Sequence, residues 1–241
     1  MKKINAFELK VFALIVMLFD HLREFFPHIF PIWIHPVSRV VSPIFAFLVV
    51  EGLFHTRNKL KYNLRLIGWA VFMQAGDTLI NMALKSKEVA VTNNIFLTLA
   101  LGLTIINLIE YSKQKHFAKK LIILLVAIIL IPLAPFTEGG ISVIPFILIT
   151  YFFRGNKKKQ IIGYVILFLV LFSLSYAPYP TTKETIDMLM FNSDFLFILA
   201  VPFILLYNGE RGLNNKFSKY LFYVFYPLHL WGLAILKYVV K

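Results

Sequence analysis

Lys10 and His21 stand eleven residues apart on one apolar run, Leu9 to His21. Eleven residues is close to three helical turns. The two side chains therefore share about one helix face, about 16 Å apart along the axis at 1.5 Å per residue. Histidine is the natural general base near neutral pH, and a cation at the far end of the same face is suited to hold an anion. Asp20 precedes the histidine in sequence. It could orient or charge-balance an imidazole on this helix or on a neighbour. The plainer alternative is that Asp20 and His21 lie near a membrane interface, where polar groups are cheap, and that Lys10 snorkels.

Further polar residues interrupt other apolar runs. Arg39 and Glu51 flank the run Val40 to Val50. Arg39 could pair with Asp20, and Glu51 with Arg57 or Arg65. Gln74, Asp77, Thr78 and Asn81 follow the spacing of one helical stripe. Such a stripe faces either a neighbouring helix or a cavity wall. His229 follows Pro227, which removes a backbone donor and loosens the turn before it. An ionisable group inside a membrane span is costly and is by default a functional candidate. Glu51, Asp77 and His229 are thus candidates for lining a cavity. His28 and His35 fall in a loop punctuated by Pro27, Pro31 and Pro36, which could cover an opening.

The elements that must position these groups follow from composition. The chain has 241 residues, of which 59% are hydrophobic and 15% charged, with a net charge of +13 and no cysteine. Soluble domains carry about 45–50% apolar and about 25% charged residues, so too little polar surface is left here to face water. The basic excess is diluted by apolar residues in nearly every segment, which argues for a membrane and against nucleic acid as the partner. Without cysteine there is no disulfide, no thiolate metal site and no cysteine nucleophile. No metal-ligand spacing, Walker loop or dinucleotide fingerprint occurs, and no metal is expected.

A spanning helix needs about 20 mostly apolar residues. Nine segments qualify or come close: Ala6–Phe26, Arg39–Phe54, Leu64–Leu84, Asn94–Tyr111, Leu121–Phe136, Gly140–Phe153, Gln160–Tyr176, Asp194–Tyr207 and Tyr220–Val240. The expected fold is all-α, one integral-membrane helical bundle over residues 1–241. The longest loop, Ala177–Ser193, is expected to be irregular or a short surface helix. The N-terminus and every second loop after it hold 18 of the 25 Lys and Arg residues. Cations stay cytoplasmic, which predicts the N-terminus inside and the C-terminus outside.

Several blocks resemble the TraX family. They are Leu9 to His21, Ser42-Pro43-Ile44-Phe45-Ala46-Phe47-Leu48-Val49-Val50-Glu51-Gly52, Phe54-His55-Thr56-Arg57-Asn58, Tyr62-Asn63-Leu64-Arg65-Leu66 and Tyr226-Pro227-Leu228-His229. The resemblance spans nearly the whole chain, with its distinctive motifs in the first 65 residues and the last helix. TraX proteins are multi-pass membrane proteins named for N-terminal acetylation of conjugative pilin. They are similar in organisation to the wider membrane acyltransferases, many of which separate a basic residue and a histidine by ten residues on the first span. Lys10 and His21 match that spacing, with lysine where the wider group usually has arginine. Lysine keeps the charge and loses the bidentate fork.

The resemblance implies an acetyltransferase of the bacterial cytoplasmic membrane that uses cytoplasmic acetyl-CoA. Lys10, Arg57 and Arg65 would contact its phosphates. His21 would act as base or acetyl carrier, Asp20 would orient it or hold its charge, and Arg39 would stabilise an oxyanion or neutralise Asp20. The acceptor amine or hydroxyl stays open among a pilin N-terminus, a surface glycan and a polymer. Two other classes compete. A proton-coupled transporter or flippase could use Asp20, His21, Asp77 and Glu51 as a relay, and it would be indifferent to acetyl-CoA. A non-catalytic scaffold would show no chemistry to lose.

Overall fold

The structure, a computed structural model, describes residues 3–240. Lys2 and Lys241, two of the cations counted above, lie outside the described residues. Eleven α-helices account for most of the chain, and the described residues form no strand, only an isolated bridge between Ile4 and Tyr207. Helix α1 (Ala6–Phe25) begins at Asn5 with a capping box. The Asn5 side chain accepts from the Glu8 N–H, and the Glu8 side chain accepts from the Asn5 N–H. Helices α2 (Ile34–Ser38) and α3 (Val41–Phe54) follow, separated by Arg39 and Val40. Asparagine caps start three of the next helices: Asn58 for α4 (Lys59–Ala83), Asn94 for α5 (Ile95–Ser112) and Asn156 for α8 (Lys157–Ser175). Between the last two lie α6 (Phe117–Leu130), which runs on as a 3₁₀ segment Ile131–Phe136, and α7 (Gly140–Phe152).

The expected outer loop contains α9 (Thr182–Phe191), started by a second capping box of Thr181 and Glu184. A 3₁₀ stretch Ser193–Ala200 then leads into α10 (Val201–Leu206), and α11 (Lys216–Val240) closes the chain. Each of the nine expected segments lies on helix, with the second beginning earlier, at Ile34.

Five stretches are long and apolar enough to cross a membrane alone: Ile34–Phe54, Ile95–Ser112, Phe117–Phe136, Lys157–Ser175 and Lys216–Val240. The pair Thr182–Phe191 and Ser193–Leu206, bent by 59°, makes a sixth if it counts as one broken span. Helices α1 and α4 fall short of the count of nine because polar residues interrupt them, and α7 because it has only 13 residues.

The surface explains the composition. Only 11% of the α6 stretch and 22% of α8 is buried, and Ile122, Leu125, Ile128 and Ile129 of α6 point outward with Ile162, Val165, Ile166 and Leu169 of α8. Apolar faces of this extent are untenable in water and ordinary against lipid. The chain is an integral membrane protein. Inside the bundle, α1 packs against α2, α3 and α11, α3 against α7, α5 against α4, α6 and α7, and α8 against α7 and the 193–200 stretch. An aromatic cluster of Phe45, Phe96, Phe222 and Tyr226 fills the centre, with Phe45 stacked on Phe222 at 4.0 Å between ring centroids.

Candidate active site

Two cavities open at opposite ends of α1 and α3, and the first half of α11 borders both. The first, about 460 Å³, lies at the C-terminal end of α1 and is lined by His21 with Asp20, Glu24, His35, Arg39, Glu138, Asp194 and Tyr226. The second, about 510 Å³, lies at the N-terminal end and is lined by Lys10 with Glu51, His55, Arg65, Arg211 and Lys219. Both fall in the range of small-molecule sites. The wall between them is thin. On α3, Phe45 lines the first cavity and Leu48 the second, three residues and about 4.5 Å apart along the helix.

In the histidine cavity, Arg39 is the electrostatic hub. Its Nη2 donates to Asp20 Oδ2 and its Nη1 to Asp194 Oδ1, both at 3.3 Å. His35 Nδ1 stands 3.2 Å from Arg39 Nη2 and 3.5 Å from Asp20 Oδ1. The break between α2 and α3 puts Arg39 at this point, since both helices pack against α1. Glu138 enters from the turn before α7. Gly139 there has φ +62°, and a Cβ on Gly140 would stand 2.2 Å from the Ala134 carbonyl oxygen, so the tight turn requires glycine. Burial pushes the Glu138 carboxyl up to about 7, against the Tyr226 hydroxyl that donates to it at 2.6 Å.

His21 is 4% exposed, and its Nδ1 lies 2.6 Å from Nε2 of His229 on α11, with the two rings roughly parallel at 4.9 Å between centroids. His229 Nδ1 lies 2.8 Å from the Phe225 carbonyl oxygen, one turn back on its own helix. Tyr226 sets its ring edge-on to both imidazoles.

The lysine cavity is assembled by the segment after α10. Ala6 N–H donates to Glu210 O and Phe7 N–H to Arg211 O, which ties residues 208–212 to the first turn of α1. Gly212, at φ +70°, permits this approach, because a Cβ there would meet Asn5 Oδ1 at 2.2 Å. Arg211 is thereby brought beside Lys10. The Lys10 ammonium donates to the Ser218 carbonyl at 3.3 Å, which leaves two of its three N–H groups for a ligand.

A family profile described as TraX protein matches residues 6–237. The chain belongs to the TraX family. The matched span takes in both cavities of this TraX chain. Among curated proteins, a probable fimbrial assembly protein of Dichelobacter nodosus, FimC of serogroup H1, is 29% identical over 237 residues, covering 94% of this chain and 93% of that protein. No solved structure matches.

Within the TraX chain, the residues singled out from sequence divide by place. His21, Asp20 and Arg39 meet in the histidine cavity, and Lys10, Arg65 and Glu51 in the lysine cavity. Asp20 does pair with Arg39. Asp20 contacts Arg39 and the His35 imidazole and makes no hydrogen bond to the His21 ring, whose Nδ1 is bonded to His229. His229 itself stands behind His21 and lines neither cavity. Arg57 also lines neither cavity and is exposed. Glu51 pairs with Arg154 instead of Arg57 or Arg65, through bonds of 2.8 and 3.1 Å, because α7 packs along α3 and ends beside it. Asp77 is buried against α11, where Trp231 Nε1 donates to it at 2.8 Å, so it braces two helices and lines no cavity.

Four residues of the cavities carried no sequence signal of their own. Glu138 sits in a connection, Asp194 in the first turn of the 193–200 stretch, and Arg211 and Lys219 are indistinguishable by type from the other cations of the basic segments. Only Tyr226 was within reach, as the first residue of the Tyr226-Pro227-Leu228-His229 block.

Proposed function

We propose that the chain is an acetyl-CoA-dependent membrane acetyltransferase of the bacterial cytoplasmic membrane, with the Lys10 end of the bundle facing the cytoplasm. The TraX family is linked in general terms to pilin acetylation, and the Dichelobacter nodosus relative is a probable fimbrial assembly protein, so a pilin-related membrane role fits both. The observation that carries the finer reading is the division of one helix between two cavities. Lys10 opens into a cavity rich in cations, and His21, about 16 Å further along the axis, opens into one of histidine and carboxylates.

Acetyl-CoA has the shape for that division, with a polyanionic head and a long thin arm ending in a thioester. Lys10, Arg65, Arg211 and Lys219 would hold the phosphates, and Arg57 drops out of the set. The arm would run past the Phe45–Phe222 pair and bring the thioester to His21. As general base, His21 takes the proton of an acceptor amine or hydroxyl as that group attacks the thioester carbonyl. The C–S bond breaks, and the departing sulfur takes the proton back from His21. As carrier, the imidazole attacks the carbonyl itself, the CoA thiol leaves, and the acetyl-imidazole passes its acetyl to the acceptor. Arg39 supplies the positive charge nearest the developing oxyanion.

The test is to expose purified protein in lipid to acetyl-labelled acetyl-CoA and follow label into added or co-purified acceptors. Transfer by the wild type and its loss in His21→Ala support the reading. Wild-type transfer in His21→Ala would sink it.

A further inference from the structure

The bond between the two histidines determines where the protons of both rings lie. His229 Nδ1 faces the Phe225 carbonyl at 2.8 Å. A carbonyl oxygen only accepts, so that nitrogen carries the hydrogen. A neutral imidazole has one N–H, and Nε2 of His229 is therefore left with its lone pair. His21 Nδ1 stands 2.6 Å from that lone pair and must be the donor. By the same count, Nε2 of His21 is left with its lone pair. Among the described residues neither ring has a carboxylate within ion-pair distance, so no neighbour fixes an extra proton on the couple. His21 Nε2 has no protein hydrogen-bond partner among them either, and His21 lines the cavity.

We infer that His229 is the positioning residue of the site: it locks His21 in the Nδ1–H tautomer and leaves Nε2 as the nitrogen that reacts. The common free imidazole tautomer carries its proton on Nε2, so the lock reverses the intrinsic preference. The assignment of a reactive role to Nε2 rests on the acetyl-transfer reading; the tautomer does not. In base catalysis, the acceptor's proton goes to His21 Nε2, and the Nδ1 proton can move along the 2.6 Å bond to His229 Nε2. His21 is then neutral with hydrogen on Nε2, and His229 carries the charge beside the Phe225 carbonyl. The Nε2 proton then passes to the departing sulfur, and the other proton returns from His229 Nε2 to His21 Nδ1, which completes the cycle. The pair thus shares one positive charge over two rings, a role given to a carboxylate where histidine is oriented by aspartate.

The experiment uses full-length protein in lipid nanodiscs with 13C,15N-labelled histidine. The His21 signals are identified by their loss in His21→Ala, and ring carbon and nitrogen shifts distinguish the two tautomers. The wild type should show His21 with hydrogen on Nδ1 and bare Nε2. His229→Leu should release His21 to a tautomer mixture and lower kcat for acetyl transfer about 100-fold, in the range for loss of a placed base, with KM for acetyl-CoA unchanged. His229→Gln, which sets an amide oxygen near the place of Nε2, should restore the spectrum and recover kcat in part, since an amide oxygen holds the tautomer but takes up no proton. Wild-type His21 with hydrogen on Nε2 overturns the inference, with no variant needed. An unchanged His21 spectrum and kcat in His229→Leu overturns it as well. If no transfer occurs at all while His21 holds its hydrogen on Nδ1, the positioning stands and the acetyltransferase reading falls.

Discussion

The Tyr226 hydroxyl donates to Glu138 at 2.6 Å and accepts from the Ile95 N–H at 3.3 Å, so one phenol joins α11, α5 and the turn before α7. Glu138, at the far end of this hydrogen-bonded relay, is a pH-sensitive group outside the spanning helices. Burial pushes Glu138 up to about 7 from an ordinary 4.5. A raised carboxyl binds its proton more tightly folded than unfolded. Stability from this group is therefore full below about pH 4.5, declines as pH rises to about 7, and is level beyond. Glu138→Gln should flatten that part of the curve of melting temperature against pH. A curve of unchanged slope would show that Glu138 is already ionised in the folded protein.

Gly76 is pressed against the indole of Trp231, and a Cβ there would lie 2.0 Å from the ring carbon Cζ2. Gly76→Ala must displace the indole, which is also bonded to Asp77. Overpacking of this kind costs about 1–3 kcal/mol. Because Trp231 lies two residues from His229 on α11, the same substitution should lower acetyl transfer. Thermal unfolding and turnover of Gly76→Ala, alone and with Trp231→Leu, check this. Recovery in the double variant is the expected sign of steric origin.

The lysine cavity predicts unequal effects among similar cations. Arg211→Ala and Arg65→Ala should each raise KM for acetyl-CoA about tenfold, since a charge-assisted bond is worth about 1.5–3 kcal/mol and tenfold is about 1.4 kcal/mol. Arg57→Ala, exposed and off both cavities, should leave KM unchanged. Steady-state kinetics at two salt concentrations decide the matter. A large effect at Arg57 with none at Arg211 would move the phosphate site out of this cavity.

Phe45 lines the histidine cavity and stacks on Phe222 at 4.0 Å between ring centroids, on the side of α3 that leads to Leu48 of the lysine cavity. Phe45→Leu should keep the fold and loosen the passage. Release of CoA without acceptor should then rise several-fold, because water gains access to the thioester. Thiol release in acceptor-free assays measures it, and an unchanged rate would mean that the arm takes another path.

The sequence made the spans readable because lipid-facing helices advertise themselves as long apolar runs, as α6 and α8 do. It also placed Lys10 and His21 on one face, since that depends only on helical geometry within α1. The pairing of Asp20 with Arg39 followed from opposite charges at matching depths. Other relations depend on how helices distant in sequence pack. His21 and His229 are 208 residues apart, and no local pattern marks two histidines as partners. Glu51 found Arg154 because of α3–α7 packing, which outweighed the basic residues nearer in sequence. Arg211 reaches Lys10 only through the left-handed turn at Gly212, whose need is visible once Asn5 is in place.

The thin wall also has an electrical consequence. Two polar cavities facing each other across a few ångströms of aromatic packing concentrate any voltage across the membrane onto that short interval. Moving one elementary charge through it costs or yields about 2.3 kcal/mol per 100 mV. An acetyl group is neutral and would cross free of that toll, while a charged acceptor kept to its own side would never meet it. On this design the thioester alone supplies the driving force, and turnover in sealed vesicles should be indifferent to an imposed potential.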